Sequence, residues 1–261
     1  MLLEMIVVLW VCLFSLLYFF PKRKSLNGCW NATAVSRILV VVAHPDDECM
    51  FFGPALLKWL KSGFYVSLLC LSSGNYYHLG DVRKKELVDS CSELGIPATR
   101  VTIIEHRDLP DDPAVEWNKD VLSSLILKHI ETNDINVVVT FDEGGVSAHT
   151  NHVALYRSLR SLHSAGKLPE GCCVLTLETI NILRKYISFF DLPLSWLHSE
   201  EIFFALTLKE YIKVKNAMKC HKSQLLWFRH LYLLFSRYMF INTLHLMPRE
   251  DGIVCCRENV S

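Results

Sequence analysis

The sequence predicts an α/β fold: a Rossmann-like, mostly parallel sheet with helices on both faces, preceded by one N-terminal transmembrane helix. Three features of the 261-residue chain carry this expectation. Short Ile/Leu/Val-rich runs alternate with helix-length stretches, the pattern of βαβ units with right-handed crossovers. The first run, Ile38-Leu39-Val40-Val41-Val42-Ala43, leads directly into His44-Pro45-Asp46-Asp47-Glu48. A buried parallel strand therefore ends in a polar cluster, on the edge where open α/β sheets bind ligands. Finally, Met5 to Phe20 carries no charge, and Leu2-Leu3 extend it across Glu4 towards the ~20 residues that span a bilayer.

The N-terminal segment reads as a retained anchor. A cleaved signal would want a basic start and small residues at its end, whereas Glu4 and Phe19-Phe20-Pro21 stand there. Lys22-Arg23-Lys24 complete residues 1–24 as an anchor with a basic stop and place the bulk of the chain in the cytosol. Residues 25–37 form a polar linker. Its sequon, Asn31-Ala32-Thr33, would be silent in the cytosol, so glycosylation there reports the opposite topology.

The main domain is expected over residues 38–224, with strands at 38–43, 65–71, 101–104, 137–141 and 173–177. Helices are expected at 50–61, 82–94, 115–131 and 152–164, with Gly63, Gly95-Ile96-Pro97 and Gly166 where helix ends belong. A further helix covers 209–219. Residues 225–246 read as an amphipathic C-terminal helix, and 247–261 as a tail. Within it, Arg229, His230, Ser236 and Arg237 fall in one arc of roughly 120° on a helical wheel, against aromatic and aliphatic side chains elsewhere. Such a helix either lies on a membrane surface or packs into the domain with a solvated basic edge.

The 27 basic and 27 acidic residues balance, so nothing suggests a nucleic-acid footprint. The ten cysteines are scattered without a C-x-x-C pair, which argues against a zinc knot and for buried thiols in a reducing compartment. No G-x-G-x-x-G follows the first strand, which argues against a nucleotide-binding Rossmann protein.

The chemistry lies in HPDDE together with His149-Thr150-Asn151-His152. His44, Asp47 and His152 offer two nitrogens and one oxygen, enough for a catalytic zinc that keeps one position for water. Asp46 is then available as general base, and His149 as a charged imidazole that stabilises an oxyanion or protonates a leaving amine. Glu48 reads equally well as a helix-start residue. Arg83 and Glu86, three apart on a helix, are either a substrate-binding pair, with Arg83 on a phosphate or hydroxyl, or a solvated ion pair. Asp108, Asp111 and Asp112 follow the third strand and either bind sugar hydroxyls or make turns. His221 belongs to a C-terminal cap over the site, and Cys49 packs inside its helix.

The AHPDDE opening, the Gly74-Asn75…Gly80…Arg83…Glu86 stretch, the HTNH element and Cys220-His221-Lys222-Ser223-Gln224 together resemble the LmbE-like zinc N-deacetylases, over roughly residues 36–225. The resemblance implies zinc at His44, Asp47 and His152, Asp46 as base and His149 assisting. The anchor and the SGNYY, PDDP and SQLLWFR segments point to the eukaryotic branch of that family. That branch implies removal of the N-acetyl group from N-acetylglucosaminyl-phosphatidylinositol, for glycosylphosphatidylinositol-anchor synthesis on the cytosolic face of the endoplasmic reticulum. Glycolipid and membrane are the implied partners; the resemblance favours Arg83 as a substrate contact, and Asp108 is the candidate beside it from its place after the third strand. The alternatives are another N-acetyl sugar conjugate, or a tethered binding protein on the same fold. One departure stands out: many bacterial relatives carry an acidic residue where this chain has Asn151.

Overall fold

The computed structural model describes residues 10–11, 36–112, 114–198 and 202–248. The expected anchor, apart from those two residues, and the Asn31 sequon fall outside the described residues, as does most of the expected tail. Among the described residues no helix is long and apolar enough to cross a membrane.

Seven strands form one sheet: β1 Arg37–Val42, β2 Tyr65–Cys70, β3 Val101–Ile103, β4 Val137–Phe141, β5 Cys173–Leu177, β6 Ile202–Ala205 and β7 Ile241–Leu246, in the order β3-β2-β1-β4-β5-β7-β6. β1 to β5 run parallel, with Val42 opposite Cys70 and Val40 opposite Val139. β7 lies between β5 and β6, antiparallel to both, and β6 forms the far edge. No side chain from Ile38 to Ala43 reaches solvent. Burial on both faces is why this strand is continuously apolar rather than alternating.

Helices flank the sheet: α1 Asp47–Phe51, α2 Gly53–Lys61, α3 Gly80–Leu94, α4 Lys119–Thr132, α5 Thr150–Ser164, α6 Ile182–Lys185, α7 Leu192–His198, α8 Leu208–Cys220 and α9 Trp227–Phe235. Local chemistry fixes their ends. The Asn118 side chain caps α4 by accepting from the amides of Asp120 and Val121, and Thr207 with Glu210 forms a capping box on α8. Gly95 ends α3 at φ 105, and Glu210 ties α8 to α2 by accepting from Lys58 and Lys61 at 2.9 and 2.7 Å. From β1 the chain winds to β2 and β3 on one side, then crosses to β4 and β5 on the other. The carboxyl ends of β1 and β4 therefore meet at the topological switch point, where such sheets place ligands.

The C-terminal third departs from expectation. A single helix over 225–246 does not form. α9 stops at Phe235, Ser236 is extended, and after a 3-10 turn at Arg237–Met239 the chain enters β7. The helical wheel had assumed one helix throughout, but pairing with β5 and β6 claims this segment as strand. The domain thus continues past 224 to Leu246. Arg237, expected on the basic edge, is fully buried: its guanidinium pairs with Asp191 at 2.5 Å and donates to Ser195 and Thr243 at 2.7 Å each. Arg237→Met should lower stability by about 3 kcal/mol, at the low end for breaking a buried pair, because Arg184 still holds Asp191 at 2.7 Å. Urea titration reads this, and an unchanged midpoint would show that Arg237 contributes no net stability.

Candidate active site

Two loops build the site. After β1, Ala43 and His44 donate their backbone amides to Asp47 Oδ2 at 3.0 and 2.9 Å, curling the chain at once into α1. Between them Asp46 stands at φ 114, a left-handed conformation that costs a non-glycine residue roughly 1–3 kcal/mol. The surroundings impose it. Arg83 Nη2 donates to the Pro45 carbonyl at 2.6 Å and Nη1 to Gly74 at 3.1 Å. Gly74 stands at φ 69, where glycine is favoured, and a Cβ there would lie 2.3 Å from Arg83 Nη1 and displace the guanidinium. The Asp46 carboxylate ends beside two guanidiniums, Arg229 at 3.2 Å and Arg83 at 3.8 Å.

The second loop follows β4. Asp142 accepts from the amides of Gly144, Gly145 and Thr179 at 3.0, 3.1 and 2.6 Å and so fixes the turn. A short distorted helical turn, Gly145–Ala148, comes next, with Val146 at φ 64 and Ala148 at φ 54. It delivers His149 to the start of α5. His152, on that helix's first turn, stacks on Phe141 at 3.8 Å, holds the Gly145 carbonyl at 3.2 Å with Nδ1, and points Nε2 at Asp47 Oδ1, 3.2 Å away.

The loops bring His44, Asp46, Asp47, His149 and His152 together, with Arg83 beside them. His44 Nδ1 lies 3.7 Å from Asp47, and its Nε2 lies 3.0 Å from Asn151 Nδ2 and 3.2 Å from Asp111. One nitrogen each from His44, His149 and His152 falls within 4.8 Å of the others, and His149 Nδ1 is buried without a hydrogen-bond partner. Convergent imidazoles, an Asp47 carboxylate with one oxygen towards His44 and the other towards His152, and an orphaned ring nitrogen fit a divalent metal. In electrostatic terms the carboxylates diverge. Burial pushes the Asp46 carboxyl up, against the pull of Arg229 and Arg83. Burial would raise Asp47 too, yet His152 and His44 hold it well below the usual carboxylate range. Burial, reinforced by His152 and His44, lowers His149 to about 4, so the ring expected to be charged is neutral as the structure stands.

Other sequence expectations shift. The Asp108 side chain is 40 % exposed beside Arg107 and does not enter the site; Asp111 is the carboxylate that does, touching His44 and Arg83 at 3.2 and 3.5 Å. Arg83 and Glu86 form no solvated pair. Both are buried, and Glu86 accepts from the Ser223 amide and hydroxyl at 2.8 and 2.5 Å, pinning the segment after α8. Glu48 is no simple helix-start residue, because it pairs with His221 at 2.8 Å with neither exposed, and accepts from Ser90 at 2.5 Å. Cys49 adjoins this pair, but burial pushes its thiol well up, and a protonated thiol is a poor ligand. The carboxylate–imidazole pair therefore acts as a brace behind α1. Arg229, placed by the sequence on a basic edge facing lipid or solvent, instead reaches Asp46; that contact crosses from α9 and no local pattern signals it.

The architecture is shared with solved structures. It matches an N,N'-diacetylchitobiose deacetylase from Pyrococcus horikoshii with a TM-score of 0.61 at 16 % identity, covering 90 % of each chain. The hydratase GalB of Pseudomonas putida also matches, at TM-score 0.55 and 18 % identity over 87 % of this chain and all of that one, so the fold alone does not choose the reaction. Sequence does. The family profile "PIG-L: GlcNAc-PI de-N-acetylase" matches residues 39–163. The N-acetylglucosaminyl-phosphatidylinositol de-N-acetylase of Bos taurus is 55 % identical over 227 residues, 87 % of this chain and 88 % of that protein. This chain belongs to the PIG-L family of GlcNAc-PI de-N-acetylases.

Proposed function

We propose that this enzyme hydrolyses the acetamide of N-acetylglucosaminyl-phosphatidylinositol, releasing acetate and a free amine, as a step of glycosylphosphatidylinositol-anchor synthesis. The observation that carries the reading is the convergence of His44, Asp47 and His152 beside Asp46, in a chain more than half identical to a relative of that name. His44, Asp47 and His152 hold the metal, zinc in this reading, and His149 is near enough to join or assist them. Bound there, zinc would polarise the acetamide carbonyl and acidify a water.

The protein's own groups do the proton work. Asp46 accepts the proton of the attacking water, and its raised affinity for protons suits a general base better than an ordinary carboxylate would. As the C–N bond breaks, Asp46 returns that proton to the leaving amine. His149, neutral, donates a hydrogen bond to the carbonyl oxygen as it gains charge. Arg83 and Asp111, rather than Asp108, border the space for the sugar hydroxyls. A non-catalytic relative would be expected to lack a ligand or the base, and every one of those positions is filled.

Membrane residence belongs to the same proposal, through the apolar run at residues 2–20 and Lys22-Arg23-Lys24 on the cytosolic side of the endoplasmic reticulum. Large apolar side chains standing in solvent on α6 and α9 support it, among them Leu183, Leu231, Leu234 and Trp227, the last 75 % exposed. Purified, metal-assayed protein incubated with N-acetylglucosaminyl-phosphatidylinositol should release acetate. Silence on that lipid, with turnover of a soluble N-acetyl sugar conjugate, would give the reaction a different substrate.

A further inference from the structure

A cavity of about 560 Å³ opens beside the catalytic cluster, lined by Met50 and Phe51 of α1, Ser147 of the distorted turn, Lys185 and Tyr186 at the end of α6, and one side of α9. Its floor is shared with the site. The Phe51 ring lies 5.7 Å from His152, and Arg229 reaches from the cavity to Asp46. The lining is apolar apart from Ser147, Arg229, Lys185 and two tyrosines.

The two cations are incompletely satisfied. Lys185 is 8 % exposed, and its ammonium donates only to the Ser147 hydroxyl at 2.5 Å and the Val146 carbonyl at 3.5 Å. No carboxylate among the described residues pairs with it, and burial alone pushes its pKa down. Arg229 donates to the Met50 sulfur and to Asp46, and its Nε is buried without a partner. A buried ammonium without a counter-charge is costly unless a ligand supplies the anion. The mouth of the cavity is lined by half-exposed Tyr186, Phe228, Leu231 and Phe235.

We propose that Lys185 and Arg229 form a subsite for the phosphodiester of the lipid substrate, with its acyl chains leaving across the apolar mouth of the cavity. The inference rests on the glycolipid reading above, and charge complementarity selects the occupant: one diester anion against Lys185, which has no carboxylate partner among the described residues, with the free Nε of Arg229 as a second donor although that guanidinium also pairs with Asp46. It also gives the enzyme a means of preferring a lipid-linked sugar to the same sugar without phosphate.

The competing role for Lys185 is to prop the strained turn at Val146 and Ser147. Lys185→Gln separates the two, because glutamine keeps a donor for Ser147 and removes the charge. The assay compares kcat/KM for dihexanoyl N-acetylglucosaminyl-phosphatidylinositol with that for phosphate-free N-acetylglucosaminyl-inositol. In the variant the ratio should fall roughly tenfold or more, mainly through KM, the loss of a charge-assisted hydrogen bond to phosphate. Dihexanoyl phosphatidylinositol, which carries no acetamide, should lose calorimetric affinity by a similar factor, and that measurement needs no turnover. An unchanged ratio together with unchanged affinity for this lipid would overturn the subsite. Wild-type protein inactive on both sugars would instead overturn the deacetylase reading while leaving the calorimetric test standing. If Lys185→Gln does not fold, Lys185→Met read against Lys185→Arg gives the same comparison of charge removed and charge kept.

Discussion

His152→Ala should leave a folded protein that holds no stoichiometric zinc and does not measurably turn over. With three protein ligands, loss of one leaves two, too few for a catalytic site to retain its metal. Even changing the groups that orient a ligand typically costs about 10–100-fold in affinity or activity. The loss should be local to the site. His152 sits on the first turn of α5, and its ring stacks on Phe141 at the sheet edge, while the helix itself is anchored further along by buried Leu155, Leu159 and Leu162. Metal analysis and thermal unfolding on one preparation read both halves of the expectation. His44→Ala should behave alike, and removing the metal from wild type with a chelator should reproduce both variants until zinc is restored. Full metal occupancy in both alanine variants would reassign the ligands, with His149 next in line.

What could be read from the chain follows the reach of each interaction. β1, β2, β4 and β5 announce themselves because central parallel strands are buried on both faces and so appear as largely apolar runs, broken only by Ser67, Thr140 and Thr176. β6 and β7 do not. Ile241–Leu246 reads Ile-Asn-Thr-Leu-His-Leu, and behind the apolar run of α9 its start merges into what looks like one amphipathic helix. Only the antiparallel pairing with β5 and β6, set by distant partners, makes it a strand. The site divides in the same way. His44, Asp46 and Asp47 share one turn, and His149 and His152 share another, so their grouping within each loop was visible locally. Which of Asp108, Asp111 and Asp112 enters the site depends on the path of an irregular loop, and spacing offers no rule for that. Arg229 and Arg237 sat on one predicted face, yet one reaches Asp46 and the other a buried carboxylate, because the helix joining them breaks at Ser236.

Asp46→Asn should separate chemistry from binding. Its backbone is the first consideration. At φ 114 most substitutions add strain, and asparagine is among the few residues that tolerate left-handed conformations, so the turn should keep its shape. The neighbouring charges come next. Arg83 stays bound to the Pro45 and Gly74 carbonyls, and an amide oxygen still accepts from Arg229, so neither guanidinium is abandoned. The Asp47 carboxylate, held by two backbone amides, is untouched. What disappears is the ability to take a proton from water, since an amide is not a base at neutral pH. General-base assistance is worth roughly 10²–10⁴-fold, so kcat should fall within that range while zinc content and KM change little. Asp46→Ala is the poorer test, because it removes the acceptor for Arg229 along with the base. Loss of zinc in Asp46→Asn would make Asp46 a ligand and leave the base to be found elsewhere. Retention of near-wild-type kcat would show that the proton leaves by another route, with Asp111, which touches both His44 and Arg83, the next carboxylate to test.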